Sequence, residues 1–195
     1  MTRDEALKLL NEKVQNKNLI KHCLAVEACM KEFAGHFSQN TEQWGLAGLL
    51  HDIDYETTKD KPQEHSIIGA KILEDAGLDK EIVEAVRTHN EAHGLKPESL
   101  MAKTLLPVDP LTGLIVASTL VLPARQGKPG VAGGPSKKIA DLTVENILNR
   151  FKEKGFAKGA NREIIAKCVD AGLSLEEFVK IGLSAMQKIN IELGL

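Results

Sequence analysis

Apolar residues along this chain recur at helical spacing and rarely alternate for long. Thr2-x-x-Glu5 has the form of a capping box and opens a first helix that runs to about Val14. A second runs from about Asn18 to Phe37, with Leu19, Ile20, Cys23, Leu24 and Val26 near one stripe. Thr41 caps a third, short helix that ends at His51, and the polar stretch 53–61 reads as a loop. Helices follow at about 63–76, stopped by Gly77, and at about 79–90, with 91–98 as a loop. Another covers about 98–106, where Pro107 and Pro110 break it before a helix restarts to Leu122. Residues 123–135 carry four glycines and three prolines and predict a loop. Beyond it the pattern predicts helices at about 143–153, 161–171 and 174–193, the last opened by a second box, Ser174-x-x-Glu177. No alternating run persists long enough for a sheet, so the expected class is all-α.

At 195 residues the chain fits one domain. Its expected parts are a helical core over 1–122, the loop 123–135, and C-terminal helices over 136–195 that cover the core. Hydrophobic residues make up 43% and aromatics only 4%, so the core is aliphatic. The net charge of −2 and the lack of a basic run argue against nucleic acid as a general partner. No 18 apolar residues run uninterrupted, which argues against a membrane span. The charged start, Met1 to Glu5, lacks the apolar stretch of a signal peptide. The cysteines Cys23, Cys29 and Cys168 form no Cys-x-x-Cys and are odd in number, which fits reduced thiols and a cytoplasmic location.

The chemistry-bearing feature is a series of polar residues in order: His22, His51-Asp52, His65, His89 and Asp109. Imidazole and carboxylate together suit Mn, Fe, Co, Ni and Zn. Each member has an ordinary alternative. A lone histidine on a helix, such as His22, is commonly packed or on the surface, and His89 fits a simple cation at a helix end. Asp109 precedes Pro110, the pattern of an N-cap before a first-turn proline. A cap uses one carboxylate oxygen and leaves the other for a metal. His51-Asp52 is harder to explain away, because it ends the apolar run from Trp44 to Leu50, and buried polar groups need partners. His36 and His93 lie among polar neighbours and read as surface.

Together these residues resemble the HD superfamily of metal-dependent phosphohydrolases. The resemblance rests on His22, on the stretch Ala47-Gly48-Leu49-Leu50-His51-Asp52-Ile53, on His65 to Gly69, on Thr88 to Glu91 and on Asp109 to Ile115, about residues 18–122. It implies a helical bundle with His22, His51, Asp52 and Asp109 as ligands of one divalent ion, and His65 and His89 as ligands of a second. Three features depart from frequent family forms. Asp54 stands where glycine follows His-Asp-Ile, Tyr55 stands where a lysine often follows, and no Gly-Tyr-Pro signature occurs, which argues against cyclic di-GMP as substrate.

Two divalent ions among four neutral imidazoles and two carboxylates would leave a net positive site that attracts phosphate. A metal-bound water reaches a pKa near about 7, and two ions about 3.5–4 Å apart can share the resulting hydroxide, with Asp52 as the natural bridge. The expected reaction is hydrolysis of a phosphate ester or anhydride, with a small nucleotide as the favoured substrate. Asp54 or Glu91 is a candidate for proton transfer, and Lys21, Arg125, Lys128 and, less favoured, Arg87 for phosphate contact. The loop 123–135 is either a solvated linker or a mobile flap. Di-iron oxygenase chemistry on the same fold and a non-catalytic nucleotide or metal sensor are the alternatives. Oligomeric state, metal identity and the number of ions stay open.

Overall fold

The computed structural model describes residues 1–122, 138–153 and 155–195, and among these it is helical throughout its regular structure, with no strand. The segment 123–135, with Arg125 and Lys128, lies outside the described residues. Helix α1 spans Arg3–Lys13, and both bonds of the Thr2–Glu5 capping box are present. Helix α2 spans Lys17–His36 and α3 spans Thr41–Leu50. The cap of α3 is Asn40, whose side chain accepts from the N–H groups of Glu42 and Gln43, with Thr41 as the first helical residue.

Helices α2 and α3 form the most extensive pairing in the fold. Gly48 explains how closely they approach. A Cβ there would lie 2.8 Å from the Val26 carbonyl oxygen and 2.9 Å from the Glu27 Cα, closer than any side chain tolerates. Beside this contact Glu27 is buried, and its carboxylate is paired by Arg3 at 2.6 Å and by Lys31 at 2.5 Å. A buried charge needs such partners to be tolerated.

The polar stretch after His51 departs from a plain loop. Ile53 and Asp54 are buried, and a short helix, α4, spans Tyr55–Thr58. Glu56 ties it to the α1–α2 turn by accepting from the N–H groups of Gln15 and Asn16. Helix α5 spans Ile67–Asp75 and α6 spans Lys80–Thr88, capped by Asp79. A 3₁₀ turn, Glu91–His93, occupies part of the expected loop 91–98.

The largest departure is α7. It runs unbroken over Leu100–Leu120 with Pro107 and Pro110 inside it. Each proline removes one i→i−4 hydrogen bond, a loss of about 3 kcal/mol in an exposed helix. Both prolines are buried here, in a helix that packs against α2 and α6 and against the C-terminal helices. Tertiary burial therefore overrides the local break. By length and composition α7 would suffice to cross a membrane, but most of it is enclosed in the fold.

The C-terminal part contains α8 (Val144–Lys152), α9 (Arg162–Ala166) with a 3₁₀ continuation to Ala171, α10 (Leu175–Lys188) and α11 (Asn190–Leu193). The predicted 161–171 helix thus changes pitch at Lys167, and the predicted 174–193 helix is interrupted at Ile189. The Ser174–Glu177 capping box is formed. Phe178 of α10 stacks on Phe33 of α2 with ring centroids 4.7 Å apart, and α8 and α9 pack on α7.

Candidate metal centre

Four helices deliver the His and Asp series to one cavity. His22 lies on α2, His51 is the C-cap of α3 with Asp52 beside it, His89 is the C-cap of α6, and Asp109 lies inside α7. His65 precedes α5, where Ser66 adopts a left-handed φ of 70°. Asp109 is not a helix cap. With α7 continuous its N–H is already inside the helix, and its carboxylate is free to reach His22.

The geometry divides into two halves that share Asp52. On one side, His22 Nε2 lies 3.2 Å from His51 Nε2 and 3.1 Å from Asp109 Oδ1, while Asp52 Oδ2 is 3.7 and 3.5 Å from the two imidazoles. On the other side, Asp52 Oδ1 is 3.4 Å from His65 Nε2 and 3.5 Å from His89 Nε2. Each Nε2 therefore faces a carboxylate of the cavity at a separation too long for a strong hydrogen bond, His22–Asp109 excepted.

The other nitrogen of every ring is anchored. His51 Nδ1 donates to the Gly48 carbonyl at 2.8 Å and His89 Nδ1 to the Val86 carbonyl at 2.6 Å. His65 Nδ1 donates to Asp54 Oδ1 at 3.0 Å. His22 Nδ1 meets the Thr112 hydroxyl at 3.1 Å, and that hydroxyl donates to the Asp109 carbonyl, so it accepts from the ring. With the proton held on Nδ1, all four Nε2 lone pairs point inward, the arrangement that orients histidine toward a metal.

One atom tests whether an ion fits. His89 Nε2 is buried and has no hydrogen-bond partner. Leaving such a group unsatisfied costs about 1–3 kcal/mol, which a metal bond would offset. The donor set of imidazole nitrogens and carboxylate oxygens is that of a divalent transition metal, and close groupings of ligand atoms occur at His22, His51 and Asp109 and at His51, Asp52 and His89.

Electrostatics agree. Burial pushes His51 down to about 4, which keeps it neutral and able to coordinate. Burial also pulls His22 and His89 down, but Asp109 and Asp52 respectively outweigh it and hold them above the ordinary histidine value. Burial alone would raise the Asp52 carboxyl, yet His51, His89 and His22 together hold it well below its usual range.

Asp54 sits behind His65. Its side chain is fully enclosed, and besides His65 it accepts from the N–H of Ser66 at 2.9 Å and of Gly69 at 2.7 Å, both on Oδ2. Gly69 keeps this approach close, since a Cβ would lie 3.2 Å from that carboxyl group and would push on it. Lys21 is exposed beside His22 and lines a recess of about 530 Å³ between α2, α7 and the chain end. Arg87 lies 3.8 Å from Glu74, and Glu91 pairs with Lys167.

Sequence reasoning passed over three supports. His93, read as surface, contacts the His65 carbonyl through Nε2 at 2.6 Å, and Asn90 donates to the same carbonyl at 3.1 Å. Thr112 lies one helical turn after Asp109, a spacing that places them on one face and was open to inspection.

A helical domain whose histidines and aspartates converge on a cavity fit for divalent ions is the class this structure defines. The chain belongs to the HD domain family, whose sequence model matches residues 19–117 and so spans His22 to Asp109. It is similar to Ribonuclease Y of Oleidesulfovibrio alaskensis, 28% identical over 152 residues covering 76% of this chain and 27% of that protein. Ribonuclease Y of Geobacter sulfurreducens is 28% identical over 179 residues, covering 91% of this chain and 32% of the relative. For Ribonuclease Y of Pelobacter propionicus the identity is 31% over 180 residues, with the same 91% and 32% covered. The chain thus spans about a third of the length of these relatives. No solved structure matches it.

Proposed function

We propose that this protein hydrolyses a phosphate ester or anhydride of a nucleotide at a centre of one or two divalent transition metals. The observation that carries the proposal is the pair of inward-facing imidazole sets served by the two oxygens of Asp52. His22, His51, Asp52 and Asp109 would hold one ion, and His65, His89 and Asp52 the other. Ions there would supply the charge that draws in a phosphate and would bring a water to a pKa near about 7, ready to attack phosphorus.

The protein's own groups give this chemistry its geometry. His51 and His89 form the buried floor, with side chains 0% and 1% exposed. His22 and Asp109, at 24% and 33%, form the open rim by which substrate enters. The Gly48 and Val86 carbonyls, Thr112 and Asp54 each fix the ring they touch. Asp54 acts in this reading as a positioning residue and moves no proton, because three donors surround it and no surface reaches it. Lys21, with Arg125 and Lys128, remains a candidate for phosphate contact.

The expectation of no nucleic-acid partner rests on overall charge, and the ribonuclease relatives pull the other way. A nucleotide phosphate is the chemistry common to both, either free or within a strand. We place the protein in the cytoplasm, where its three buried free cysteines stay reduced. The test is elemental analysis of anaerobically purified protein, then a panel of nucleotides, phosphomonoesters and short oligoribonucleotides with the metal found. Bound metal with turnover of a phosphate substrate supports the reading. Metal-free protein that cannot be loaded, or a loaded protein inert toward the whole panel, ends it. Bound iron with oxygen-dependent colour and no phosphatase activity would favour the oxygenase alternative.

A further inference from the structure

Beside the rim of the metal centre lies a second recess, of about 490 Å³, between the start of α2 and α4. That is within the size range of small-ligand sites. His22 belongs to its wall, so the recess adjoins the centre. Its other walls include Tyr55 and Lys59 from the α4 side and Asn18 and Leu19 from α2.

Tyr55 is the chain's only tyrosine and is 42% exposed, so its ring does little for the core. Its placement is nonetheless fixed. The ring packs perpendicular to His65, with centroids 5.3 Å apart and planes at 86°. Helix α4, which carries it, is clamped at Glu56 by the α1–α2 turn and at Thr58 by a hydroxyl bond to the Asp54 carbonyl. The polar ends of Tyr55, Lys59 and Asn18 have no hydrogen-bond or ion-pair partner among the described residues. An aromatic ring, a cation and an amide without side-chain partners among the described residues thus surround one recess beside the candidate metal centre.

We infer that this recess binds the base of a nucleotidyl group whose phosphate lies at the metal centre, with the ring of Tyr55 as its stacking face and Lys59 meeting a neighbouring phosphate or the base edge. The inference rests on the phosphohydrolase reading above and adds the part of the substrate away from the reacting phosphorus. Aromatic stacking tolerates any base, so the site selects nucleotides over simple phosphates more than it selects among bases.

The experiment measures equilibrium binding to metal-loaded protein of inorganic phosphate, adenosine monophosphate and a short single-stranded oligoribonucleotide, by calorimetry, with metal content determined in parallel. Wild-type protein should bind the mononucleotide at least tenfold more tightly than phosphate. Tyr55→Ala should weaken the mononucleotide about five- to a hundredfold, with phosphate affinity within twofold and the same metal content. Tyr55→Phe keeps the stacking face and should stay within threefold for the nucleotide, while Lys59→Ala should weaken it severalfold. A matching loss for the oligoribonucleotide in Tyr55→Ala assigns the recess to strand substrates as well, and a loss for the mononucleotide alone assigns it to free nucleotides. The inference is overturned if Tyr55→Ala binds nucleotide like wild type, if it loses phosphate and nucleotide equally, or if its metal content falls. Wild-type protein that binds phosphate and nucleotide equally overturns this inference and leaves the phosphohydrolase reading standing. Loaded protein that binds neither ends both.

Discussion

Asp54→Asn separates the orientation of a ligand from the integrity of the fold. Both backbone bonds to Asp54, from Ser66 and Gly69, fall on Oδ2, and only the bond from His65 falls on Oδ1. An asparagine can keep its carbonyl oxygen on the two backbone N–H groups. Its NH₂ group then faces His65 Nδ1, where the wild type has an acceptor. To avoid two opposed donors the imidazole shifts its proton to Nε2, and the lone pair that points at the cavity is lost. Loss of such a supporting contact typically lowers metal affinity about 10- to 100-fold, which is about 1.4–2.7 kcal/mol. The loss should fall on the His65–His89 half and spare the half built on His22, His51 and Asp109. Manganese or zinc titration by calorimetry should show one ion at wild-type affinity and a second weakened or absent, with the helical circular dichroism signal unchanged. Asp54→Leu, by contrast, strands two buried N–H groups at about 1–3 kcal/mol each and should lower the melting temperature sharply. Two ions bound by Asp54→Asn at wild-type affinity would refute the tautomer argument.

His65→Ala combined with His89→Ala should bind one ion per chain where the wild type binds up to two, and an unchanged stoichiometry by elemental analysis would make these histidines structural. Asp109→Asn should weaken the other half of the centre without destabilising α7, because the residue is interior to that helix, and near-normal metal content and turnover would remove it from the site. Gly48→Ala should cost about 1–3 kcal/mol through its clash with the α2 backbone, read as a fall in melting temperature together with weaker metal binding. Metal affinity should drop as pH is lowered from about 8 to 5, because His22 and His89 hold their protons to a higher pH than ordinary histidines and must release them to coordinate; a flat profile in competition titrations would contradict the assignment.

Much of this was legible in the chain. Helical periodicity gave the class, because amphipathic helices bury one stripe wherever they end up. The burial argument at His51-Asp52, which ends an apolar run and must find partners, and the resemblance of the ordered series to the HD superfamily together pointed to one shared cavity. What failed was what only tertiary packing decides. Pro107 and Pro110 are strong local breakers, and nothing local says that most of α7 will be enclosed. Once that is missed, Asp109 looks like a cap. Asp54 looked like a group for proton transfer because proximity to Asp52 in sequence says nothing about which way a side chain turns, and its partners lie 11 to 15 residues further on. His93 looked like surface for the same reason, since its contact is 28 residues away.

The histidine caps of α3 and α6 have a consequence for the order of events. Both helices terminate at the cavity, so the negative ends of two macrodipoles, each equivalent to about half an elementary charge, converge there along with Asp52 and Asp109. In the phosphohydrolase reading this negative character favours a cation over phosphate in the empty cavity, and ions bound there would make it more positive. That reading predicts ion first and phosphate second, so phosphate alone should give the metal-free protein little protection against thermal unfolding. Metal supply, as much as substrate supply, would then set how much of the protein is able to engage a phosphate at all.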